Sequence, residues 1–182
     1  MTLPYDVLEK SFANAKKIVA EAPEGLSVLR GIHMEGPYFS YKKRGAQNPD
    51  YLKVPDLEGF LALQEMAGGL IRIVDIAPEL PGAAEFVRRA KDSCTVSIAH
   101  TDADYDDAKA AVDAGVTAVM TAHILFPQIE PDNIPATMSR RIMQGILREK
   151  LGFRGIIVSD CMEMAAIREH YGVSAGTLAA FK

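Results

Sequence analysis

The sequence predicts an α/β fold of parallel βα repeats, and three observations carry that prediction. Short apolar runs (VLRGIHME, LIRIVDIAPE, CTVSIAH, VTAVMTAHI and FRGIIVSD) recur along the 182 residues, separated by stretches of helical periodicity. The runs are mostly continuous rather than alternating, as in strands covered on both faces. Four of them stop at a chemically active side chain, Glu35, His100, His123 or Asp160. Parallel strands would bring these four to one rim, where the ligands of such sheets bind.

The elements follow in order. Residues 5–22 put Val7, Leu8, Phe12, Ala15, Ile18, Val19 and Ala22 on one helical face. VLRGIHME is the first strand, and a long loop, GPYFSYKKRGAQNPDYLKVPD, follows it. Its Gly and Pro content opposes regular structure, and a loop of that length is commonly functional. DLEGFLALQEMAGG is a helix with Asp56 as N-cap and Gly68 or Gly69 as its stop. LIRIVDIAPE is a strand, AAEFVRRAKDS a helix, CTVSIAH a strand and DYDDAKAAVDAG a helix. VTAVMTAHI is the fourth strand. The loop with FPQIEPDNIP leads into a helix, TMSRRIMQGILREKLG, with Met138, Ile142, Met143, Ile146 and Leu147 on its core face. FRGIIVSD is the fifth strand, and EMAAIREHYG opens a last helix. A closed barrel of this type needs eight strands. The five counted here predict part of a TIM-type (βα)₈ barrel or a rearranged open parallel sheet. A part-barrel would expose its inner apolar face, so a homo-oligomer is expected.

Composition excludes several function classes. Lys and Arg total 20 against 24 Asp and Glu, a net charge of -4, and KKR at 42–44 is the longest basic run, so no nucleic-acid partner is expected. No apolar run reaches membrane length, and MTLPYDVLEK lacks the apolar core of a signal peptide. The expected location is the cytoplasm, with Cys94 and Cys161 as reduced, inert thiols. His33 and Asp75 fall inside apolar strands and read as satisfied core or rim residues. His170 suits the dipole of a helix's last turn. KKR reads as a solvated loop or as a basic loop that meets a sugar phosphate.

The segment GIHMEGPYFSYKKRGAQNP, followed by IAPE and SIAHTDADYDDAKAAVDAG, resembles the N-acetylglucosamine-6-phosphate deacetylases of the amidohydrolase superfamily over roughly residues 5–117. The resemblance implies a divalent metal, zinc or similar, held by Glu35 and His100. It implies sugar contact through the main chain at Ala46, with Gln47 beside it. The family's third ligand, a histidine, falls at Thr121 here, and His123 two residues later is the candidate substitute. The Asn-Ala pair of the family's sugar site is absent.

From about residue 115 to 172 the chain resembles family 3 glycoside hydrolases, notably the β-N-acetylhexosaminidases, through VMTAHILFPQIEPDNIPATMSRRIMQGILREKLGFRGIIVSDCMEM. That resemblance implies Asp160 as a carboxylate nucleophile and His123 as a pocket-lining residue. A carboxylate nucleophile needs an acid/base partner, and the family's KH-x-PGHG motif is absent. One α/β domain is therefore expected, with a deacetylase-like segment 1–117 and a glycosidase-like segment 118–182. Three functional readings stay open: metal-dependent deacetylation of an N-acetylamino-sugar phosphate, glycoside hydrolysis through Asp160, and an inactive recombined or designed βα scaffold. The plain alternative for Glu35 and His100 is a pair of rim residues without an ion. For Asp160 it is a helix N-cap.

Overall fold

The computed structural model describes residues 2–21, 24, 25 and 27–181. The chain divides into two compact units, Met1–Thr117 and Ala118–Lys182. Among the described residues five strands form, all paired in parallel, and helices alternate with them, so the expected α/β class holds.

In the first unit, helix α1 (Tyr5–Glu21) precedes strand β1 (Ile32–Tyr38). Helix α2 (Leu57–Met66), strand β2 (Ile71–Ile76), helix α3 (Ala83–Ala90), strand β3 (Thr95–Ile98) and helix α4 (Tyr105–Ala114) follow. β2 pairs with β1 on one side and with β3 on the other. The α2 start matches the sequence reading: the Asp56 carboxylate accepts the Gly59 N–H at 3.0 Å. Gly68 and Gly69 both take left-handed backbone beyond the helix end. At α4 the Asp104 carboxylate caps the N–H groups of Asp106 and Asp107. The core is aromatic and aliphatic. Phe86 packs against Tyr38 and Phe60, ring centroids 5.1 and 5.3 Å apart, over buried Ile71, Val74, Val87 and Val96.

Two expectations for this unit change. β1 begins at Ile32 instead of residue 28, because its pairing with β2 starts at Ile32↔Ile71 and leaves Val28 and Leu29 exposed. It also runs past Glu35 to Tyr38, with its register shifted between Met34 and Tyr38. Glu35 thus sits in an irregular part of a strand, not at its end. On α1 only Leu8 and Phe12 are buried, while Val7, Ile18 and Val19 stay exposed. Ala22 lies outside the described residues.

In the second unit, strands β4 (Ala118–Thr121) and β5 (Ile156–Ser159) pair in register from Ala118↔Ile156 to Thr121↔Ser159. The expected helix over TMSRRIMQGILREKLG forms differently. Ala136–Met138 is a 3₁₀ turn and Arg141–Lys150 a π-helical stretch, closed by Leu151 N–H donating to the Ile146 carbonyl at 2.9 Å. Of its expected core face only Leu147 is buried, and Met138 and Met143 are half-buried. EMAAIREHYG yields one helical turn, α5 (Ala165–Arg168), followed by α6 (Val173–Ala180). His170 therefore lies beyond α5 and not in a helix's last turn. No helix among the described residues is long and apolar enough to cross a membrane.

Candidate functional site

The first unit brings Glu35, His100 and Gln47 together. Glu35 precedes Gly36, whose φ of 96° is left-handed. A Cβ at Gly36 would collide with the Thr2 hydroxyl and crowd the Phe39 ring, so both conformation and space demand glycine. Glu35 is thereby held at a fixed place beside the loop that follows β1. His100 lies two residues beyond β3 and also takes left-handed backbone, φ 49°, uncommon for a residue with a side chain. Its carbonyl accepts the Ser40 N–H at 3.0 Å, and its ring packs on Phe39 at 4.4 Å between centroids.

The hydrogen bonds of the His100 ring define its chemistry. Nδ1 lies 3.0 Å from the Lys43 carbonyl oxygen, which only accepts, so Nδ1 carries a proton. Nε2 lies 3.0 Å from Glu35 Oε1. In the neutral ring a lone pair then faces a carboxylate, and only a proton or a cation between them relieves that opposition. Gln47 adds a second contact: its Nε2 donates to Glu35 Oε1 at 3.1 Å while its Oε1 accepts the Thr2 N–H at 2.7 Å. The His100 hydrogen bond, opposed by partial burial, holds the Glu35 carboxyl below the usual carboxylate range. Ala46 is exposed on the same loop.

This donor set fits a divalent ion. One imidazole nitrogen is fixed on a main-chain carbonyl and the other is turned to the shared space, the arrangement a metal-ligating histidine keeps. Two ligands about 2 Å from one tetrahedral ion stand about 3.3 Å apart, close to the 3.0 Å found here. Among the described residues no group of three or more His, Cys, Asp or Glu side chains converges, so the pair lacks the third protein ligand that a catalytic zinc takes.

Beside this pair, His33 Nε2 meets Asp75 Oδ2 at 2.6 Å. Asp75 is fully buried and its Oδ1 has no partner. The hydrogen bond to Asp75 raises the His33 pKa against the effect of burial, and the Glu35 charge adds to the rise. The expectation of satisfied core or rim residues holds for one Asp75 oxygen and fails for the other. Around His100 the loops are tied by charge. Asp102 takes Lys42 at 2.9 Å and Lys43 at 3.5 Å, and Glu79 accepts the Thr101 hydroxyl at 2.5 Å and the Asp102 N–H at 2.8 Å. Glu79 carries no motif signal beyond its place after β2 in IAPE, where a parallel strand delivers side chains to the rim.

In the second unit His123 and Asp160 meet through one residue. His123 Nε2 donates to the Cys161 carbonyl at 3.0 Å, and Asp160 Oδ1 accepts the Cys161 N–H at 2.7 Å. His123 Nδ1 lies 2.9 Å from the Thr137 hydroxyl, which also contacts the Thr121 hydroxyl and the Ala122 carbonyl. Both ring nitrogens of His123 are thus engaged inside its own unit. Asp160 follows β5 directly, and its N–H donates to the Thr121 carbonyl at 3.0 Å.

Comparison with known proteins finds both likenesses. The glycosyl hydrolase family 3 N-terminal domain matches residues 102–182. The N-acetylglucosamine-6-phosphate deacetylase of Bacillus subtilis (strain 168) is 32% identical over 191 residues, covering 93% of this chain and 48% of its own length. A β-hexosaminidase of Stenotrophomonas maltophilia (strain K279a) is 49% identical over 67 residues, 37% of this chain and 19% of its own. Among solved structures, the deacetylase of Mycobacterium smegmatis in complex with N-acetyl-D-glucosamine-6-phosphate superposes with a TM-score of 0.61 at 27% identity, over 78% of this chain and 37% of its own. The chain spans about half the length of the B. subtilis relative and less of the others. The likenesses overlap: the deacetylase match extends beyond residue 117, and the glycosidase match begins at 102 instead of about 115. The chain is related to amino-sugar deacetylases and to family 3 hexosaminidases at once.

Proposed function

We propose that the first unit carries the metal-binding part of an N-acetylamino-sugar deacetylase, with Glu35 and His100 as ligands of a divalent cation such as zinc. One observation carries the reading: His100 Nδ1 is committed to the Lys43 carbonyl, which turns Nε2 onto Glu35 at 3.0 Å. Such an ion, when bound, polarises an amide carbonyl and makes bound water acidic enough to act as a nucleophile. The residues of this chain would do the rest. Gln47 keeps one Glu35 oxygen oriented. Main chain at Ala46 would meet the sugar. The likeness to deacetylases of N-acetylglucosamine-6-phosphate supports an amino-sugar phosphate as the substrate class.

Isothermal titration of metal-stripped protein with zinc chloride tests the ligands. Wild type is expected to bind one equivalent, and Glu35→Ala and His100→Ala to lose at least about tenfold in affinity. Wild-type affinity in both variants, or no uptake by wild type, would overturn the assignment. With only two ligands converging among the described residues, acetate release from N-acetylglucosamine-6-phosphate is expected to be slow at best.

A second reading rests on Asp160, which lies within the family 3 match and directly after β5. As a glycosidase nucleophile it would cleave a chromogenic N-acetylglucosaminide, and Asp160→Asn would abolish the release. Silence in both assays is the result an inactive βα scaffold would give.

A further inference from the structure

We infer that Glu79 is a positioning residue for His100, holding the backbone turn that presents Nε2 to the ion. The inference rests on His100 being a metal ligand as proposed above, and goes beyond it by naming the group that fixes the ligand's geometry.

His100 holds a strained, left-handed backbone. A non-glycine residue at φ 49° occupies a sparsely populated backbone region and persists only where its surroundings impose it. The β3 ladder does not impose it, since β3 ends at Ile98 and its last pairing with β2 is Ile76↔Ile98. Beyond the strand the Ser40 N–H holds the His100 carbonyl at 3.0 Å, and the Lys43 carbonyl holds Nδ1. Those two contacts come from the loop after β1. The next two residues are held from the loop after β2, by Glu79 alone among the hydrogen bonds seen to side chains of that loop. One carboxylate oxygen takes the Thr101 hydroxyl at 2.5 Å and the other the Asp102 N–H at 2.8 Å. Bonds to an ionised acceptor are about twice as strong as neutral ones, and two of them on successive residues fix the direction in which the chain leaves His100.

The clamp closes a circuit. Asp102, held by Glu79 through its N–H, binds Lys42 and Lys43, and the Lys43 carbonyl is the acceptor that keeps the His100 proton on Nδ1. Thr101, held through its hydroxyl, accepts the Ala103 N–H at 2.8 Å, so the turn continues in one conformation toward α4. Without Glu79 the Thr101 hydroxyl and the Asp102 N–H lose their carboxylate acceptor from the β2 loop, and Asp102 no longer draws Lys43 into place. The His100 ring then has no fixed reason to keep its proton on Nδ1. Glu79 touches neither the ion nor the substrate; its effect passes through the His100 tautomer.

Metal-stripped wild type, Glu79→Ala and Glu79→Gln would be compared at a pH where the imidazole is neutral. His100 ring nitrogen shifts come from long-range proton–nitrogen correlation, assigned by loss of the signal in His100→Gln. Wild type is expected to show one tautomer, protonated on Nδ1. Glu79→Ala should show both tautomers, with zinc affinity down about 10–100-fold by titration calorimetry. Glu79→Gln, which keeps one acceptor oxygen, should fall between the two. A single Nδ1–H tautomer with wild-type zinc affinity in both variants overturns the clamp. Wild type that takes up no zinc sinks the metal reading alone, and the tautomer then decides: mixed in Glu79→Ala supports the clamp, single in both variants overturns it. Should Glu79→Ala fail to fold, Glu79→Gln, which preserves shape, carries the same comparison.

Discussion

The two units are built from the same βα repeat and differ in what covers their strands. In the first, the central strand β2 buries Ile71, Val74 and Ile76, and three aromatic rings, Tyr38, Phe60 and Phe86, close the core. In the second, β5 leaves Ile156 64% exposed and Val158 41% exposed. The interior there is held in good part by polar bonds: buried Glu130 accepts Ser139 at 2.6 Å and Arg141 at 3.1 Å, and buried Thr137 joins Thr121 to His123. The difference bears on function. Over a filled apolar core, Glu35 and His100 are free to face one another, because packing supplies the stability. In the second unit the His123 nitrogens meet the Thr137 hydroxyl and the Cys161 carbonyl, whereas His100 turns one of its two to a carboxylate.

The largest effect that can break this comparison is a core truncation. Phe86→Ala is expected to cost about 3–5 kcal/mol in urea unfolding. Ile156→Ala, at an exposed strand position, should stay within about 0.5 kcal/mol. An Ile156→Ala cost comparable to that of Phe86→Ala would mean that β5 is covered in solution, and the contrast between the units would fall.

A smaller, pH-dependent effect sharpens it. His33 has its pKa raised above the ordinary 6.5 by the hydrogen bond to buried Asp75. A raised pKa means that the folded state binds the proton more tightly. The stabilisation is therefore complete below about 6.5 and is lost as pH climbs through the folded value. Glu35 acts with the opposite sign: its pKa is lowered from 4.5, so its contribution is present above that value and disappears as acid protonates it. Unfolding midpoints should accordingly fall from pH 6 to pH 8, and His33→Gln should flatten that slope while leaving the acid limb. Because the His33 side chain is partly exposed, the change stays well below that of Phe86→Ala. A slope that survives His33→Gln would assign it elsewhere.

What the sequence discloses here is what local periodicity encodes. The βα alternation, the Asp56 cap, the glycine stops and the candidacy of Glu35 and His100 follow from neighbours in the chain. What escapes depends on distant partners. β1 starts at Ile32 because β2 has nothing to offer residue 28. The engagement of His123 depends on Thr137 and Cys161, and the grip on the His100 turn depends on Glu79, 22 residues before Thr101. The π-helical winding of 141–150 has no residue signature at all. Hydrogen bonds of this kind join side chains whose spacing follows no period, so no pattern along the chain reports them.

The two cysteines give the smallest effect and test both units in one experiment. Cys94 is half-buried in the first unit, its Sγ 3.7 Å from the Ala90 carbonyl, and burial pushes its thiol up to about 11. At pH 8 such a thiol is ionised to about one part in a thousand, and the thiolate is the species that reacts. Cys161 is exposed in the second unit. A disulfide reagent should thus modify one thiol quickly and the other much more slowly, with Cys161→Ser removing the fast phase. The slow phase reports how often the first unit opens around Cys94, because reaction there waits for exposure as well as ionisation. Phe86→Ala should speed that phase and leave the fast one unchanged. Two fast phases in wild type would mean that the first unit opens readily around Cys94, and its aromatic packing would then not be a source of stability.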